Sequence, residues 1–141
     1  MTSLAFSKTK RSAFSLVELV VVVLIIGILA AVAAPRMFRT AEDARDAATK
    51  ASLSVIRDSI ERYKSEIGKY PEEANIETNL KTYIRGPFPS VQTPSVPKEH
   101  RNNTVVANDG DPIASFTGTA GWAYNESTGE FVVNHANCIS W

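Results

Sequence analysis

The chain has 141 residues, room for one modest domain plus an N-terminal segment, with 44% hydrophobic and 21% charged side chains. Fifteen basic residues balance fifteen acidic ones, and no cluster of Lys and Arg is dense enough to neutralise a phosphate backbone, so a nucleic-acid role has no support. Cys138 is the only cysteine, which excludes an intramolecular disulfide and a cysteine-based zinc site. It reads as a small packed residue, with an intermolecular disulfide as the alternative in an oxidising compartment.

The neutral total hides two unlike parts. Residues 1–13 are short, polar and basic, and Lys8, Lys10 and Arg11 supply all the charge before Phe14. Without those three of the fifteen basic residues, 12 basic side chains face 15 acidic ones, so the remainder is mildly acidic. Such a head resembles the cytoplasmic end of an export signal. Residues 14–34 are then interrupted only by Ser15, Glu18 and Gly27. At ~1.5 Å per residue this run gives roughly 30 Å of helix, enough to cross a bilayer. Val and Ile are middling helix formers in water, but lipid demands that every backbone group be satisfied internally, which makes a helix obligatory. A carboxylate within such a run is costly, so Glu18 requires a reason.

Pro35 ends the uniformly apolar run and is followed by Arg36 and Arg39. Beyond it Ala44, Ala48, Ala51, Val55, Ile56, Ile60, Tyr63 and Ile67 recur at three- and four-residue spacing, predicting an amphipathic helix with these residues inward. Asp46/Lys50, Arg57/Glu61, Asp58/Arg62 and Arg62/Glu66 pair at four-residue spacing on its other faces. Gly68 is the expected C-terminal stop and Pro71 prevents continuation. One helix over about residues 15–67, with a possible kink near Pro35, is the principal expectation.

After Pro71, Leu80, Tyr83 and Ile84 suggest a short helical turn, and Pro87, Pro89, Pro94 and Pro97 leave little regular structure before His100. Strand-like segments follow at 104–107, 113–117, 121–125 and 130–134. The last two flank Glu126-Ser127-Thr128-Gly129, a hairpin-length connection with Gly where positive φ is needed. Trp122, Tyr124, Phe131 and Val133 alternate and are expected on one face against the helix. The fold class is therefore α+β: a long N-terminal helix packed on a small antiparallel sheet.

Catalysis has no visible site. His100 and His135 lie far apart in the chain, without a nucleophile arrangement, and are expected at the surface. Asn108-Asp109-Gly110-Asp111 lacks the oxygen-rich spacing of a calcium loop and reads as a turn, so neither a metal nor a cofactor is expected.

Residues 8–35 resemble the leader and helix of type IV pilins and type II secretion pseudopilins. The resemblance rests on the basic leader, small Ala13, then Phe14, Ser15-Leu16-Val17 and Glu18, followed by the apolar run and Pro35. It departs from the family at Ala13, where Gly is usual. The Gly68-Lys69-Tyr70-Pro71 turn, the Gly86-Pro87-Phe88-Pro89 loop and the hairpin around residues 121–130 are similar to the major, G-type pseudopilin. The resemblance implies that a prepilin peptidase cuts between Ala13 and Phe14 and that the new Phe14 amine is methylated. It implies that Glu18 sets subunit register and that Gly27 and Pro35 bound a helix break. Implied partners are further copies or other pilin-like subunits and an inner-membrane assembly platform.

The implied organisation is a leader (1–13), a transmembrane and filament-core helix (14–35), an amphipathic helix (36–68) and a loop-rich region with the sheet (69–141). Residues 36–141 would together form the globular domain, facing the periplasm, with no enzymatic role. Adhesion, motility or DNA-uptake pilins are the alternative within the class. An ordinary secretory signal cut near Ala31-Val32-Ala33, and a membrane-anchored binding domain that forms no filament, are the alternatives outside it.

Overall fold

The computed structural model describes residues 14–138 and 140–141. The chain divides into two compact units, Met1–Arg39 and Thr40–Trp141. In the first, helix α1 (Leu16–Ile67) begins, passing through Gly27 and Pro35 without interruption. The Pro35 ring removes one backbone donor, the one that would reach the Ala31 carbonyl, a loss that a helix tolerates at a local cost. None of the apolar window of this helix is buried within the chain, and its length and composition suffice to cross a membrane.

The second unit is built on the remainder of α1. The helix ends where Gly68 takes φ +83 and its N–H donates to the Lys64 carbonyl at 2.8 Å, the C-terminal glycine stop that the sequence predicts. Its buried stripe differs from the expected one. Thr49, Leu53, Ile56, Ser59 and Ile60 are buried, whereas Ala44, Ala48, Ala51, Val55 and Ile67 are exposed. Periodicity alone favours apolar residues, so Thr49 and Ser59 were not expected inward. Both are made compatible with burial by back-bonding: Thr49 Oγ1 donates to the Arg45 carbonyl at 3.0 Å and Ser59 Oγ to that of Val55 at 2.7 Å.

A short helix α2 (Ile76–Leu80) follows the Pro71 turn and buries Ile76 and Leu80. Three strands, β1 (Val105–Ala107), β2 (Trp122–Tyr124) and β3 (Phe131–Val133), form one sheet in chain order. Strands β2 and β3 pair antiparallel, with Trp122 opposite Val133 and Tyr124 opposite Phe131. The connection turns on Asn125, whose Oδ1 accepts from the N–H groups of Ser127 and Thr128, and on Gly129 at φ +80.

The expectation of a wholly antiparallel sheet is corrected at β1, which pairs parallel to β2 with Val105 opposite Trp122. A parallel pair needs a crossover of roughly a dozen or more residues, and the segment after Asn108 supplies it. Residues 113–117, expected as a strand, lie in that crossover. Their backbone is held by side chains instead: the Ile113 N–H donates to Glu130, and Asn108 and Asn134 donate to the Ser115 and Thr117 carbonyls.

Alternation along the strands decides which core each residue joins. Trp122, Tyr124, Phe131 and Val133 pack with Leu53, Ile56 and Ile60 of α1 and with Ile76 and Leu80 of α2. Ala123 and Val132 pack on the opposite face with Ile113. The crossover thus covers a sheet face that would otherwise meet water, and the mixed topology follows from that second small core.

Candidate assembly site

Phe14 and Ser15 immediately precede α1, and the Leu19 N–H donates to the Ser15 carbonyl at 3.2 Å. Glu18 lies in the first turn, where the exposed N–H groups and the helix dipole favour a negative charge. Phe14, Leu16 and Val17 are 76%, 78% and 67% exposed, and Glu18 among them is exposed as well. Among the described residues Glu18 forms no ion pair, whereas Lys69 and Glu72 pair at 3.2 Å in an exposed turn. The arrangement is a carboxylate one turn from the Phe14 position, on an exposed helix end. Ala13 and the basic leader lie outside the described residues.

Further along, a side chain added at Gly27 would meet nothing within 4 Å. Its lack of a side chain therefore answers no steric demand inside this chain. Apolar exposure continues beyond Pro35, with Met37 and Phe38 at 72% and 71%.

The second unit holds several groups that no local sequence signal points to. His100 and His135, expected as separate surface residues, are brought into an edge-to-face pair with ring centroids 5.7 Å apart. Arg57, expected to pair with Glu61 along the helix, instead donates from Nε to the Phe131 carbonyl at 2.9 Å and from Nη2 to the Trp141 main-chain oxygen at 3.0 Å. Burial lowers its pKa, partly opposed by the charge of Glu130. Thr93 donates to Asp46, and the Gln92 N–H donates to Thr49 at 3.1 Å, so α1 grips the proline-rich loop. The bonds of Arg57, Asp46 and Thr49 each span more than forty residues, and the histidine pair spans thirty-five, all beyond the reach of periodicity.

Cys138 is buried and unpaired. Burial, and then the Asp46 charge, push its thiol pKa up, in keeping with the reading of Cys138 as a small packed residue. Asn108 closes a turn by accepting from the Gly110 N–H at 3.0 Å, as the turn reading of that segment expects.

Residues 8–34 match the family described as the prokaryotic N-terminal methylation motif. No curated protein and no solved structure matches the chain. The motif is consistent with a type IV pilin-like family, and it supports a pilin-like or pseudopilin subunit with a structural rather than an enzymatic part. It implies processing by a prepilin peptidase and assembly into pilin-like filaments, and together with the exposed apolar helix it fits membrane anchoring.

Proposed function

We propose that this chain is a secretion-type pseudopilin, held in the bacterial inner membrane with residues 36–141 on the periplasmic side and then packed, helix against helix, into a thin filament. The observation that carries the reading is the methylation motif laid on the first part of a helix whose apolar run, Glu18 included, is exposed over residues 14–34. The peptidase cuts between Ala13 and Phe14, and the Phe14 amine so released is methylated on the cytoplasmic side. An ionised carboxylate at mid-membrane costs ~2.5–3.5 kcal/mol on insertion scales, and less near the interface where Glu18 would lie. The new amine of a neighbouring subunit offsets that cost when helices bundle. Because such a pair is buried, its main effect is on register rather than stability.

On leaving the bilayer the helix exchanges lipid contacts for subunit contacts, with little net change in apolar burial. The stretch bounded by Gly27 and Pro35 is continuous helix in the single chain, and it unwinds in part during packing, where a missing donor at Pro35 makes loosening cheap. The secretion-type assignment within the class rests on the resemblance of the Gly68-Lys69-Tyr70-Pro71 turn, the Gly86-Pro87-Phe88-Pro89 loop and the hairpin around residues 121–130 to the major pseudopilin. Glu18→Ala provides the test: membrane insertion is expected to remain intact while incorporation into filaments is lost. Normal filament yield from this variant would overturn the proposal.

A further inference from the structure

The apolar run does not give way directly to the soluble unit. Arg36, Met37, Phe38 and Arg39 intervene, all exposed and all still within α1. Successive helical residues are about 100° apart, so these four encircle the helix once. Arg36 and Arg39, three residues apart, share one side, and Met37 and Phe38 occupy the other. Residues 14–34 rise about 31 Å, which matches a hydrocarbon core of about 30 Å. Counting on from there, residues 35–39 rise a further ~7 Å and fall within the headgroup layer, roughly 5–7 Å thick on each side.

The charge distribution sharpens the question. Lys8, Lys10 and Arg11 lie on the leader side of the span and leave with the leader, so Arg36 and Arg39 become the basic residues nearest the span, on its far side. Cytoplasmic flanks usually carry the excess of Lys and Arg. Two arginines on the opposite flank are not explained by that rule.

We infer that residues 36–39 form a collar that binds the phospholipid headgroup layer on the side of the membrane opposite the leader. Guanidinium groups engage lipid phosphates through charge-assisted, two-pronged hydrogen bonds. Met37 and Phe38, 72% and 71% exposed in the chain alone, sink into the boundary between headgroups and acyl chains. A bilayer interface offers phosphates and acyl-chain boundary around the whole circumference of a helix, so it accommodates the arginine side and the Met37–Phe38 side at the same depth. The consequence reaches the other end of the span. With the collar held at one interface, Glu18 is kept near the other, where its charge costs least and the peptidase must reach Phe14. The inference rests on the membrane-anchored reading above.

The test uses the full chain with Cys138→Ala and single spin-labelled cysteines placed through residues 31–43, in vesicles of phosphatidylethanolamine and phosphatidylglycerol. Collision with oxygen and with a water-soluble nickel complex reports depth. The label at residue 33 is expected in hydrocarbon, the label at residue 41 in water, and the crossing between residues 35 and 39. Combined Arg36→Gln, Met37→Ser, Phe38→Ser and Arg39→Gln substitutions should move the crossing by about one helical turn, ~5 Å. Arg36→Gln with Arg39→Gln alone should abolish the dependence of depth on phosphatidylglycerol content. An unchanged crossing in the fourfold variant, or labels at 36–39 immobilised on one side only, would overturn the collar while leaving the anchor intact. A residue-33 label in water would overturn the anchored reading itself.

Discussion

Gly129→Ala probes the joint between the hairpin and the end of α1. Gly129 has φ +80, and a Cβ added there would be driven into the Tyr70 ring, its nearest neighbour. The backbone term is ~1–2 kcal/mol for an L-residue in the left-handed region. The ring cannot simply yield. Lys64 Nζ lies 3.9 Å from the Tyr70 ring centroid and donates to its hydroxyl at 2.8 Å, and the ring packs against the main core. Moving it forfeits an exposed cation–π contact of ~0.5–1 kcal/mol, giving a total of ~1.5–3 kcal/mol. For a unit of this size that corresponds to a midpoint lowered by roughly 6 °C or more. Unfolding of the full chain in detergent, followed by the fluorescence of buried Trp122, measures it. In a Tyr70→Ala background the same substitution should cost only the backbone term, ~1–2 kcal/mol. A cost below about 0.5 kcal/mol in the native background, or equal costs in both backgrounds, would refute the reasoning.

Arg57→Ala leaves the Phe131 and Trp141 oxygens without their charged donor; since water can replace part of the loss at this half-buried site, destabilisation of ~2 kcal/mol is expected in urea unfolding, with Arg57→Lys recovering about half. Tyr124 is buried, its hydroxyl donates to the Pro71 carbonyl at 2.9 Å, and burial foremost pushes its pKa up. The folded state therefore keeps this proton after the unfolded chain begins to release it near pH ~10, so stability is full below that pH and falls above it, by at most ~1.4 kcal/mol per pH unit. Tyr124→Phe should flatten that alkaline decline in a pH series of unfolding curves. Gly27→Ala meets no steric obstacle and favours helix by ~1 kcal/mol; if unwinding accompanies packing, membrane levels should stay normal while filament yield, counted by electron microscopy, falls.

Legibility in the sequence followed the range of the interactions. The long helix, its stop at Gly68 and the Gly129 hairpin were readable because each is decided within a few residues: an apolar period, a positive φ, a proline beyond. The inward stripe of α1 was only partly readable, because Thr49 and Ser59 satisfy their hydroxyls on the preceding turn and so behave as core residues. Strands β1 and β2 were readable as segments, but their parallel pairing was beyond local pattern. Their pairing depends on a crossover whose backbone is held by Asn108, Glu130 and Asn134, contacts that no spacing rule encodes. The His100–His135 pair and the two bonds of Arg57 belong to the same class. At the candidate site the balance is reversed: Phe14, Glu18 and Pro35 are plain in the sequence, and the fold adds that all three are exposed.

The most direct test of the central claim is mass analysis of the mature protein's N-terminus, taken from membranes of cells that carry a prepilin peptidase. A chain that begins at Phe14 and carries a methylated amine is the predicted result. A start after Ala33 or Ala34, as in ordinary secretion, or an uncut chain beginning near Met1, would contradict it.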